Sequence, residues 1–528
     1  MKRTFLLVAA LVCVLAAKSL AQPDLVARIH FLGGDKISAD PAFAAFTNEF
    51  CCAEAKALES QTLDKLSRAP GEWFKSKLAP GAGDGAAQLR PLLDDLLKSE
   101  WIFEMRDAMN GSPEYALAIR LSDERAQLWS NNFEALLKSW TGIEISQGKS
   151  GIWELKKHDP PNLFRSSRSG DWVIVDCGQN DLELRQRLVD ELQKPMVATA
   201  PLNWLETDLN WPRLAQLFPA LKEFDFPKMA MQVVGSDGSL QWNGKFTLSR
   251  PLPPPENWHA PTNLIHQPLI SLTAVRGIGT WLARQSWAQP YEISPPPDQF
   301  FIWAMGQVPY QTFAAAPMPD APAALARLWP KISASLDTRA ATPSLFKLAA
   351  QLTNNSIAFT GVPFFSPFVL ATHDPAGGYL FGGFFPNTPR LKTVAPESFP
   401  QLTRPGLVFY HWEVTSNRVA LLPQLSQLIL MVSSHRQLGD QSAAYKWLAR
   451  LGPTLGESVT EVTQTAPGEL TFTRRAAAGL TAVELTALAN WLEATNFPGC
   501  DLRLPPMRLR QGQSPVRPLN PPAAPRPN

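Results

Sequence analysis

The chain has 528 residues, 45% of them hydrophobic and 18% charged, with a formal net charge of +2. That length exceeds one ordinary hydrophobic core and implies two or more domains. The near-neutral balance argues against a body built to hold nucleic acid, which needs a strongly basic face. The 49 prolines favour short elements joined by turns.

Residues 1–21 read as a signal peptide: Lys2-Arg3, an apolar run from Phe5 to Ala17, then Ser19-Leu20-Ala21 as a small-x-small cleavage pattern. The run is too short for a spanning anchor. The expected location is therefore periplasmic or extracellular, with no stable membrane insertion after cleavage. Four cysteines remain beyond the leader: Cys51, Cys52, Cys177 and Cys500. An oxidising compartment permits disulfides among them, but sequence does not give the pairing. Adjacent Cys51 and Cys52 are poor partners for each other, which leaves Cys177 with Cys500, or a buried free thiol at Cys177.

Residues 22–100 form a lead-in: a strand over Asp24–Leu32 ending at Gly33-Gly34, helical spacing over Pro41–Leu66, a glycine-rich connector at 81–85, and a short helix over Ala87–Leu97. The first repeat unit then spans 101–295. Trp101–Met105 and Tyr115–Leu121 are strand-like, and Asp123 is the expected N-cap of a helix to about Trp140. Strands are expected near Gly151–Lys156, Asn162–Arg165, Trp172–Cys177 and Trp204–Leu209, with helices over Leu182–Leu192 and Arg213–Leu221. Met229–Val234 and Leu240–Leu248 form a hairpin on Gly235-Ser236-Asp237-Gly238.

The second unit, 296–500, echoes the first in order. Ile102 and Met105 correspond to Ile302 and Met305, and Leu128-Trp129 to Leu328-Trp329. Gly170 and Trp172 correspond to Gly377 and Tyr379, and Glu206 to Glu413. Leu272–Val275 matches Leu480–Val483, and Trp281-Leu282 matches Trp491-Leu492. The shared order implies an internal duplication. The fold class expected is α+β: two similar tandem domains, each a mainly antiparallel sheet packed with helices. The Pro/Arg-rich tail, 501–528, lacks the apolar content to order itself.

No motif for a cofactor or metal is present: there is no HExxH, no GxSxG and no zinc spacing among the cysteines. The pairs His158-Asp159 and His373-Asp374 precede prolines and read as turns. The candidate binding residues are Glu206 and Glu413, each followed within a few positions by an arginine, Arg213 or Arg418. Twin carboxylates of a duplicated chain would serve acid–base chemistry if they faced one another across a cleft. The alternative is a structural ion pair within each unit. The abundant tryptophans read as core.

At Leu407-Val408-Phe409-Tyr410-His411-Trp412-Glu413 and Gly479-Leu480-Thr481-Ala482-Val483-Glu484 the chain resembles an uncharacterised group of bacterial exported proteins. The resemblance implies an envelope or secreted setting and no activity. The expectation is a non-catalytic binding or scaffold module. Its partner would be a protein or envelope polymer in a groove between the two units. A hydrolase of an envelope or extracellular polymer, using Glu413 with His411 or His435 nearby, is the alternative.

Overall fold

The computed structural model describes residues 25–46, 50–75, 78–107, 113–142, 146–147, 153–158, 161–178, 183–194, 202–224, 226–236, 238–285, 288–291, 295–306, 311–340, 349–361, 366–372, 377–385, 392–421 and 442–499. The leader, Cys500, the tail, His373, His435 and the side chain of His158 lie outside them.

Among the described residues, twenty strands join in one antiparallel ladder. The first ten are β1 (Leu25–Phe31), β2 (Trp101–Asp107), β3 (Pro113–Arg120), β4 (Ser146–Gln147), β5 (Trp153–His158), β6 (Pro161–Ser169), β7 (Trp172–Gly178), β8 (Leu205–Asn210), β9 (Lys228–Ser236) and β10 (Ser239–Thr247). The second ten are β11 (Leu269–Arg276), β12 (Gln299–Met305), β13 (Thr312–Pro317), β14 (Ala349–Leu352), β15 (Ser356–Thr360), β16 (Phe368–Thr372), β17 (Tyr379–Gly383), β18 (Leu407–Val414), β19 (Glu457–Ala466) and β20 (Glu469–Ala476). In space the first series runs β4-β5-β6-β7-β3-β2-β1-β8-β9-β10. The second runs in the same order, β14-β15-β16-β17-β13-β12-β11-β18-β19-β20. The two series meet where β10 pairs with β20, with Asn243 opposite Thr473 at the middle of the ladder. Their junction is therefore continuous sheet, where a groove between units was expected.

The ladder divides the chain differently from the residue echoes. Leu25–Phe31 opens the first series and is no lead-in; Leu269–Arg276 opens the second and does not close the first. Both strands carry a bulge near the start and are followed within two residues by a glycine with positive φ, Gly33 at 92° and Gly277 at 79°. When β1 is laid on β11 by that bulge, Ile102 falls on Phe301 and Glu104 on Trp303, one residue away from the echo drawn between Ile102 and Ile302. The match of Leu272–Val275 with Leu480–Val483 also falls away. Thr273 is mid-strand, whereas Thr481 is a helix N-cap whose side chain accepts from Glu484 N–H.

The helices whose full extent lies among the described residues are α1 (Gly34–Ala39), α2 (Ala53–Phe74), α3 (Ala86–Lys98), α4 (Asp123–Thr141), α5 (Glu183–Leu192), α6 (Trp211–Leu217), α7 (Gly279–Arg284), α8 (Ala321–Ala340), α9 (Ala443–Leu451) and α10 (Ala482–Glu493). The N-cap of α4 is Ser122, one residue before the expected Asp123, which takes the first helical position. Gly85, in the left-handed region at φ 74°, ends the glycine-rich connector and starts α3.

Strand β7 shows why its apolar run is unbroken. Val173 and Val175 pack with Trp129 of α4 on one face, while Trp172 and Ile174 pack with Leu184 and Leu188 of α5 on the other. A strand covered on both faces has no reason to alternate. No described helix is long and apolar enough to cross a membrane.

Candidate functional site

The ladder sets the geometry of the glutamates singled out by sequence. His30 of β1 stands opposite Glu206 of β8, on the face that also carries Arg28 and Glu104. Glu413 of β18 stands opposite Ser271 and Ser458. Two residues on, the same face carries the row Thr273–His411–Thr460–Arg474–Trp242, and Trp242 pairs onward with Val233 and Leu205. Because side chains alternate along a strand, Leu205 and Glu206 point to opposite sides. Glu206 and Glu413 therefore project from opposite faces of the sheet and do not converge on one cleft. With β1 laid on β11, the position matching Glu206 is held by Tyr410.

Glu413 is 0% exposed. Its Oε1 accepts the Ala482 N–H at 2.7 Å, at the first turn of α10, and its Oε2 lies 3.4 Å from His411 Nε2. His411 Nδ1 is in turn 2.7 Å from Thr273 Oγ1. Burial alone would push the carboxyl up, but the facing His411 and the hydrogen bond from the Ala482 N–H outweigh it and hold Glu413 below the usual carboxylate range. Arg418 adds an attractive charge, and its own guanidinium is pulled down by burial.

The Thr273–His411–Glu413 line has the order of a nucleophile, a base and an orienting acid. Its setting gives it another role. Thr273 lies within a strand laddered on both sides, by Ile302 and by His411, so its neighbouring N–H groups belong to sheet hydrogen bonds rather than to an oxyanion. The same face holds α10 by further contacts. Arg474 Nη1 and Nη2 each donate to Glu484 at 2.9 Å, Arg474 Nε donates to Thr460 Oγ1 at 3.0 Å, and Glu484 Oε2 accepts the Thr481 N–H at 2.8 Å. Glu413, Arg474 and the Thr481–Glu484 capping box together form a polar socket for the positive end of a helix. The helix also buries Ala482, Leu485, Ala489 and Leu492.

Glu206 is more open, at 30% side-chain exposure. Its Oε1 accepts from Asn203 Nδ2 at 2.5 Å, and its Oε2 lies 4.0 Å from His30 Nδ1. The other ring nitrogen of His30 is 3.1 Å from Glu100 Oε1, and Lys36 Nζ donates to Glu100 Oε2 at 2.7 Å. Burial pushes Glu100 up, but the His30 and Lys36 hydrogen bonds reverse that and lower it. Arg213 Nη2 lies 3.7 Å from Asp107 Oδ2, so it reaches a different acid from the one its sequence position suggested.

The larger charged assembly went unnoticed in the sequence. Under α5 the sheet buries Glu104, Arg106, Glu114, Arg165 and Asp176 on one face, with Arg28 part-buried beside them. Arg28 pairs with Glu104, Arg106 Nε donates to Glu114 Oε2 at 2.6 Å, and Arg165 Nε donates to Asp176 Oδ2 at 2.6 Å. The only signal for it was Glu-x-Arg within strand β2, which reads as an outward face. Cys51 and Cys177 are free thiols, and burial raises the Cys177 thiol to about 11. No group of three or more potential metal ligands occurs among the described residues.

No protein-family model matches the chain, and no curated protein matches it. Among solved structures it is compared with the di-domain ARO/CYC StfQ from the steffimycin biosynthetic pathway, at 10% identity over 65% of this chain and 84% of that one. The TM-score of 0.08 is too low to bear on fold or function.

Proposed function

We propose that the chain is an exported, internally duplicated protein that serves the bacterial envelope as a non-catalytic binding or scaffold module. The observation that carries the reading is the socket under α10. The acid best placed for chemistry, Glu413, is fully buried and held by a helix N-terminus and a histidine of its own half. A group so committed to packing is unavailable to a substrate. The duplication is supported by the repeated strand order, the shared bulge and the paired glycines, and by the buried positions of β2 at 102 and 104–106 falling on buried positions of β12 at 301 and 303–305 in the bulge-based register.

Two experiments test this. N-terminal sequencing of the mature protein should begin at Gln22; a retained leader would remove the export reading. Purified protein incubated with isolated cell-wall polymer should sediment with it and release no soluble fragments. Fragment release by the native chain, abolished in a folded Glu413→Gln variant, would replace the scaffold with a hydrolase. Failure to sediment would leave a protein as the partner.

A further inference from the structure

We propose that α5 is a detachable ionic strap, a helix that lifts from the sheet as a unit while the strands beneath stay folded. The charges under it form two layers. Within the sheet, Arg28 pairs with Glu104, Arg106 with Glu114, and Arg165 with Asp176. Each of these three pairs then takes a further partner from the helix. Glu191 Oε2 accepts from Arg28 Nη1 at 2.9 Å, and Arg187 Nη2 donates to Glu104 Oε2 at 3.0 Å. Glu183 Oε2 accepts from Arg106 Nη1 at 2.7 Å, and Arg185 Nε lies 3.7 Å from Asp176 Oδ1 while its Nη2 donates to Ser167 Oγ at 2.7 Å.

The consequence is that lifting the helix leaves every one of those sheet charges with an opposite charge beside it. The usual obstacle to opening a buried ionic interface, a charge stranded in low dielectric, is absent. On the strap's sheet-facing side Glu183 and Glu191 stand against Arg185 and Arg187, with Asp190 held by Gln186 on the helix itself, and Glu183 is 69% exposed, so water already reaches one end. What holds the strap otherwise is an apolar seam: Leu184 and Leu188, flanked by the part-buried Val189 and Leu192, over Ile102, Ala116, Ala118, Trp172 and Ile174. Two of those five are alanines, which limits the apolar surface it buries. Elements that open below the global unfolding free energy are those with few buried apolar contacts.

Hydrogen exchange read by mass spectrometry on the full chain tests this at low salt and at about 1 M salt, where the Debye length falls to about 3 Å. Peptides from 183–192 should exchange faster at high salt by a factor on the order of ten, the combined effect of several part-exposed pairs, while peptides from β2 and β3 hold their protection. Arg187→Gln should accelerate the same helix peptides at low salt without exposing the strands. If the helix and the strands exchange at one common rate in both salts, or if Arg187→Gln deprotects β2 and β3 together with the helix, α5 is integral and the strap is refuted.

Discussion

The two halves of the sheet present the same positions to different chemistry. With β1 laid on β11, Arg28 corresponds to Leu272, Glu104 to Trp303, Arg106 to Met305 and Glu114 to Gln311. Continuing across the ladder, Ala116 corresponds to Phe313, Ile174 to Phe381 and Asp176 to Gly383. The first half fills this face with ion pairs and small residues and lays α5 on top. The second fills it with aromatic rings: Trp303 and Phe381 stack at 5.7 Å between centroids, and Phe313 lies 5.7 Å from Phe381. Chain segments carrying Ile265, Val394, Phe399 and Leu402 close that core. One backbone plan thus accepts either solution, because what it fixes is which positions are covered, while the cover may be met by paired charge or by apolar volume.

Four sets of substitutions probe the comparison. Trp303→Ala empties the aromatic side and should cost about 3–5 kcal/mol in denaturant unfolding; a cost under about 1 kcal/mol would mean the ring stack is not a core. Arg106→Met alone leaves Glu114 buried without its guanidinium and should cost about 2–4 kcal/mol. The double change Arg106→Met with Glu114→Gln, which installs the residues the other half uses, should return to within about 1 kcal/mol of the native chain. A double variant as damaged as the single one would show that the halves are not interchangeable here.

Glu413→Gln keeps an acceptor for the Ala482 N–H but loses the charge, and should cost about 1–2 kcal/mol at pH 7. Because the folded carboxyl lies below its ordinary value, its contribution is fully present above the unfolded value of about 4.3 and fades as pH falls through the folded one. The gap in melting temperature between the native chain and the Glu413→Gln variant should therefore close in acid. A gap that stays constant down the acid limb would sink the socket account. Last, Arg404→Ala breaks the exposed pair with Glu461 and should change stability by less than about 1 kcal/mol.

The outline of most elements was legible in the sequence, including the hairpin on Gly235–Gly238 and the helix over 182–192. What was lost was side. Strand β12 reads Phe300-Phe301-Ile302-Trp303, apolar at every step, so its pattern carries no information about which residues face in, and the echo with β2 slipped by one. Strand β2 misleads in the opposite way: Glu104 and Arg106 look like a solvent face, yet both are buried because their partners come from α5 and from β1 and β3. Pairing across strands is a long-range fact, and no local window holds it. The tetrapeptides Leu272–Val275 and Leu480–Val483 make the same point, since identical letters become a strand in one place and, with Glu484 three residues beyond Thr481, a helix cap in the other. Glu206 and Glu413 failed as a pair for that reason: their resemblance was one of neighbouring letters, and the ladder turns them to opposite sides.

Helix α2 reaches across to the far end of the chain. Leu58 enters the core of α9 and α10, Gln61 Nε2 donates to Glu493 Oε2 at 2.9 Å, and Lys65 Nζ donates to the Leu492 carbonyl at 2.6 Å. During synthesis the side of α2 that meets α9 and α10 waits for those partners until Glu493, 432 positions after Gln61, has been made. That interval, long for a contact spanning most of the polypeptide, is when a holding chaperone has the most to shield.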